Sequence, residues 1–154
     1  MVRFAPTSLT VAKTLIQVKA GAAALDILLA RVYQQTKTSA SELLQLSQNH
    51  WSGAFTAGTV TSFTPLKYNF NDPAALAVGG TTATGTNASA EPSGGTRDEL
   101  DDDEWNILNG KWEDLPIPEG RIRIQQGDLY TLKLETAPAA AMTIGAIVRV
   151  MELR

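Results

Sequence analysis

The side chains able to do chemistry in this sequence are few and scattered. His50 is the only histidine, it stands beside Trp51, and cysteine is absent. A His-Trp pair suits a ligand pocket, but a lone histidine in a small domain is more often a surface or core residue. With no second histidine and no thiolate, one chain cannot assemble a three-ligand zinc centre or a Cys–His pair. A Ser–His–Asp triad lacks the Gly-x-Ser-x-Gly turn that presents such a nucleophile. The strongest charge feature is DELDDDE, residues 98–104. Asp98, Asp101 and Asp103 offer oxygen ligands to a hard cation, yet the run has neither the central glycine nor the ligand alternation of an EF-hand loop. The favoured reading is a solvated, self-repelling segment, with an electrostatic contact to a basic partner as the sharper alternative. Paired carboxylates for glycoside hydrolysis need a cleft that a sequence does not display.

The other motifs are weaker. GGTTATGT (79–86) carries glycines but no phosphate-loop lysine, so nucleotide binding is not supported. Asn87-Ala88-Ser89 matches a glycosylation sequon without a secretion signal to give it meaning. Trp51, Trp105 and Trp112 are able to stack on sugars, although aromatic anchors of this kind are more often core or interface residues. No catalytic, cofactor-binding or metal-binding residue is assigned, no cofactor is expected, and the chain does not read as an enzyme.

The elements that must position these residues belong to one domain of 154 residues, long enough to bury a core. Without cysteine there is no disulfide framework, and no apolar run of about 18 residues is present to span a membrane. The first residues, MVRFAPTSLTVAKTL, read as no signal peptide. The net charge of −3 conceals a split: residues 1–78 hold six Lys/Arg against three Asp/Glu, and residues 79–154 hold seven against thirteen. A basic stripe interleaved with aromatics is missing, so nucleic acid is not an expected partner. The split instead allows a positive face to meet a negative face on a neighbouring copy.

Along the chain, residues 1–11 read as an N-terminal arm, because Pro6 and several Ser/Thr interrupt any apolar period. TLIQVKAG (14–21) reads as a short strand. ALDILLARVYQQT (24–36) fits a helix or a strand, with the strand favoured by its β-rich surroundings. SASELLQLSQNH (39–50) leans towards a helix, since Ser39 or Ser41 followed by Glu42 resembles a helix start. TVTSFTPLKYNF (59–70) returns to β character, and Pro65 marks it as an edge or bulged strand. Residues 71–104 read as a long Gly/Ala/Thr-rich to acidic loop, with room for one short helix near Asp72–Leu76 capped by Asp72. From Trp105 onward the pattern is β: EWNILNGKWEDL turns at Asn109-Gly110, and RIRIQ, LYTLKLET and MTIGAIVRVMEL follow. Tyr130, Leu132 and Leu134 alternate with Thr131, Lys133 and Glu135. In the last segment Ile144, Ala146, Val148 and Val150 share one face, while Gly145, Ile147, Arg149 and Met151 share a second, partly apolar one. Roughly seven short strands with turns between them predict a mainly β single domain over 12–154, a jelly-roll-like β-sandwich.

Several of these stretches, taken in order, resemble a class of small tailed-bacteriophage structural proteins. They are TSFTPLKYNFNDPAA, TTATGTNASAEP, NILNGKWEDLPIPEGRIRI and LKLETAPAAAMTIGAIVRVMEL, spread over roughly residues 10–154 and most specific over 105–154. The acidic run 98–104 and the pair Arg121 and Arg123 depart from the class pattern. The resemblance implies a virion component with a β-sandwich core, and within virions a capsid decoration (cement) protein on the outside of the head. Its implied partners are the major capsid protein and two further copies in a homotrimer, with neither nucleic acid nor membrane. Its implied location is the capsid surface, after synthesis in the host cytoplasm. A neck, tail-completion or fibre-associated component is the neighbouring alternative, and a carbohydrate-binding module is the alternative of another class.

Overall fold

A computed structural model describes residues 1–35, 41–67, 71 and 73–153. The chain is a β-sandwich of two antiparallel sheets, as the alternating segments predict. Its strands are β1 (Val2–Leu9), β2 (Lys13–Lys19), β3 (Ala24–Gln34), β4 (Leu43–Thr56), β5 (Thr59–Ser62), β6 (Gly85–Ala90), β7 (Ser93–Asn106), β8 (Lys111–Asp114), β9 (Arg123–Ile124), β10 (Leu129–Leu134) and β11 (Met142–Leu153). One sheet has the order β1-β11-β3-β8, with β9 also paired to β3; the other runs β5-β6-β2-β10-β4-β7. Among the described residues eleven strands replace the seven expected, and β4 and β7 are 14 residues each.

The core lies between the sheets and follows the period of two. On β10, Tyr130, Leu132 and Leu134 are fully buried and face Val18 and Ile16 of β2 on one side and Leu46 of β4 on the other, or lie beside them in register. From the other sheet, Ile144, Ala146 and Val148 of β11 meet them, with Val2 and Phe4 of β1 and Leu25, Ile27, Ala30 and Val32 of β3. Such side chains stabilise by roughly 1.5–3 kcal/mol each when fully removed from water.

Four expectations are corrected. Residues 1–11 are no arm: β1 is the edge strand of its sheet, pairing with β11, and Val2, Phe4 and Leu9 belong to the core. The register shifts between Phe4 and Thr7, around Pro6, so the apolar residues fall out of phase and conceal the strand. Segment 39–50 forms strand β4 from Leu43, with Leu44 and Leu46 buried. Glu42, expected inside a helical start, instead accepts the Ala139 backbone N–H at 2.7 Å. Residues 71–104 are not one loop either, because β6 and most of β7 lie within them. β7 carries almost no buried side chains, so its ladder to β4 holds it without any hydrophobic alternation to read. Residues 73–77 form no helix, and the expected cap Asp72 lies outside the described residues.

Other expectations hold. Of segment 24–36, Ala24–Gln34 forms strand β3, and residue 36 lies outside the described residues. β5 is an edge strand with an irregular register between Thr59 and Thr61, and Pro65 follows it; residues 68–70 of that segment lie outside the described residues. The Asn109-Gly110 turn is a short 3-10 turn closed by Gly110 at φ 72°, a backbone state that favours glycine. RIRIQ contributes only Arg123–Ile124 as β9.

Candidate functional site

The residues singled out for chemistry are drawn into the framework. His50 sits on β4 with Nε2 2.8 Å from Asp128 Oδ2 and Nδ1 3.8 Å from Asp98 Oδ2. Its two partners are carboxylates, and no hydroxyl nucleophile is among its contacts. The ring joins β4 to the turn before β10 and to β7, which is a structural role.

The acidic run is laid out along β7 rather than gathered. Among the described residues no group of three or more His, Asp or Glu side chains is placed to hold a metal ion. Asp101 and Asp103 point towards the other sheet. Gln48 Nε2 donates to Asp114 Oδ2 at 2.7 Å and to Asp101 Oδ2 at 3.2 Å, while its Oε1 accepts the Tyr130 hydroxyl at 2.6 Å. This network satisfies a buried amide between the sheets. Burial pushes the Tyr130 phenol well above its ordinary value, and the charges of Asp114 and Asp101 add to the effect, so Tyr130 stays a neutral donor. Asp103 Oδ2 accepts the Trp112 indole N–H at 2.8 Å and ties the edge of one sheet to the edge of the other. Asp102 faces out and meets Gln45.

Trp105 and Trp112 are buried, which leaves Trp51 as the one tryptophan with appreciable exposure. Trp51 donates its indole N–H to Thr131 Oγ1 at 3.2 Å, and Arg97 lies over its ring at 6.0 Å. Around it a polar network covers the outward face of the six-stranded sheet. Asn49 accepts from Arg97, and Glu135 accepts from Arg97, Ser47 and Lys133. Burial alone would raise the Glu135 carboxyl, but hydrogen bonds from Lys133 and Ser47 outweigh it and hold Glu135 below the ordinary value. Thr131, on the face opposite Tyr130 and Leu132, is therefore buried.

The glycine-bearing stretch 79–86 packs on β2 as a turn. Gln17 donates to Ala83 O at 2.6 Å and to Gly58 O at 3.2 Å, which ties the stretch to β2. Asn87 has φ 57° and accepts from Lys13 Nζ at 2.7 Å.

The surface feature that sequence reading missed is a groove of about 760 Å³ on the outward side of the five-stranded sheet, over β3 and β11. Leu28, Leu66, Leu115 and Met151 are among its apolar walls, and Leu66, Leu115 and Met151 are 53%, 69% and 38% exposed. Lys67, Arg121, Arg149 and the Met1 residue add cationic groups, against the carboxylate of Glu152. Glu152 Oε1 is already taken by the Leu76 and Ala77 backbone N–H groups. Met1 is fixed there by its amine, which donates to Leu66 O at 2.8 Å. The one sequence signal for this groove was the partly apolar second face of β11, with Ile147 and Met151.

Compared with protein-family models, with curated proteins and with solved structures, the chain finds no match.

Proposed function

We propose that this chain is a structural component of a tailed-bacteriophage particle, a capsid decoration (cement) protein that binds the major capsid protein from outside as a homotrimer. The observation that carries the proposal is the order of the resembling motifs from Trp105 onward, together with where they lie. The Asn109-Gly110 turn, the Pro116-x-Pro118 bend, β10 and β11 follow one another through a single rigid sandwich. His50 and Asp103 are engaged in contacts that join strands of the sandwich, which favours a reading in which the surfaces do the work. A rigid body that bridges several shell subunits gains stability by summing modest contacts.

The test is to add the purified chain to heads of the phage that encodes it, after removing the native copies. Decoration predicts binding that saturates at a fixed ratio to the shell protein and heads that withstand higher temperature. Binding confined to the neck or tail, or no binding, would overturn the proposal.

A further inference from the structure

We infer that the groove over β3 and β11 receives the Leu100 knob of β7 from a second copy of this chain, so that copies join head to tail. Leu100 carries the first half of the inference. The β4–β7 ladder pairs Gln48 with Asp101 and Asn49 with Glu99, which makes Leu100 the extra residue of a β-bulge. A bulge leaves its extra residue out of the ladder and re-aims its side chain. Leu100 is accordingly 43% exposed, an apolar side chain interrupting the acidic run 98–104. Solvation of the acids explains an acidic edge strand; it does not explain a leucine pushed out of the middle of one.

The groove supplies the complementary chemistry. Its apolar walls, Leu66, Leu115 and Met151, are among the large exposed apolar side chains of the chain, and cationic groups stand among them. Arg121 places a buried Nε there with no hydrogen-bond partner among the described residues. An apolar knob on an acidic edge strand is complementary in sign to an apolar slot that cations line, and charge of this kind sets the register of an interface. The knob lies on the edge of the six-stranded sheet and the groove on the outside of the five-stranded one. Two different patches that fit each other give a heterologous contact, which closes into a ring when the rotation allows. The inference names surfaces for self-association and does not depend on a capsid, so it stands or falls separately from decoration.

The test uses two exposed substitutions, Leu115→Asp in the groove and Leu100→Arg on the knob, with mass measured by light scattering. The wild-type chain is expected to associate with concentration, and the association to weaken about tenfold or more between low and high salt. Each variant alone is expected to be a monomer. An equimolar mixture is expected to form a two-chain species and nothing larger, because one intact groove meets one intact knob. Should Leu115→Asp fail to fold, Arg121→Glu takes its place. A monomeric wild type, variants that still associate, or a mixture that stays monomeric would each overturn the inference.

Discussion

Asp103 and Asp102 are neighbours in one acidic run, but the structure gives them opposite surroundings. Asp103 accepts the indole N–H of Trp112 across the gap between the sheets, whereas Asp102 meets only the exposed Gln45. Asp103→Ala is therefore expected to cost about 1–3 kcal/mol, because it strands a largely buried N–H. Asp102→Ala is expected to stay within about 0.5 kcal/mol. Urea titrations of the two variants check this, and equal effects would contradict the assignment. Asp26 contributes to the acid limb of stability. It is buried, and the hydrogen bonds from Arg123, with Oδ1 2.8 Å from Nε, hold its carboxyl below the ordinary value of 3.8. A carboxyl depressed in the folded state binds protons more readily when unfolded. Its stabilisation is complete above the ordinary value and is lost as pH falls through the lowered one. Thermal melts of Asp26→Asn should show a shallower loss of Tm below about pH 4 than the wild type. A parallel acid limb would remove Asp26 from the explanation. At this scale the sequence was informative about absence of pattern, since a single histidine and no cysteine limit what can be built. It was silent on partners, because the contacts of His50 with Asp128 and of Gln48 with Asp101 join residues far apart in the chain.

The strands legible beforehand were those whose two faces differ. On β10 and β11 the core-facing residues Tyr130, Leu132, Leu134, Ile144, Ala146 and Val148 fall at every second position as expected, although Thr131 on the opposite face is buried as well and the register shifts before Val150. Where the ladder is irregular or the strand is an edge, the period disappears. The shift at Pro6 hid β1, and the acids of β7 hid an edge strand. Charges on an edge also guard it against pairing with other chains, which is a reason for a strand to look unlike one. β4 misled differently, because Ser41 and Glu42 imitate a helix cap while long-range pairing with β10 and β7 decides the outcome. Leu132→Ala is expected to cost about 2–5 kcal/mol as a core truncation. Thr131→Ala, whose hydroxyl accepts from Trp51, is expected to cost about 1–3 kcal/mol rather than nothing. Chemical denaturation distinguishes these outcomes, and a silent Thr131→Ala would mean that the polar cover of that face is not fixed in solution.

At the scale of the whole molecule, the charge split between the two halves of the chain does not carry over to the two sheets. Arg121 and Arg149 come from the acidic half of the sequence, yet they stand beside the groove on the five-stranded sheet, while the carboxylates of β7 line the edge of the six-stranded one. This local placement was not readable from the charge totals, because adjacent strands of one sheet come from distant parts of the chain. A body with a cationic apolar slot and an acidic apolar knob is suited to repeated contacts, and repeated contacts are what a decorated shell consists of. The central claim concerns abundance and place. The most direct measurement is the copy number of this chain in purified phage particles, by quantitative mass spectrometry with the major capsid protein as internal reference. Decoration predicts a copy number of the same order as that of the shell protein, removable from the outside of intact heads. A count matching a single ring at the neck or tail, or no chain in the particle, would contradict it.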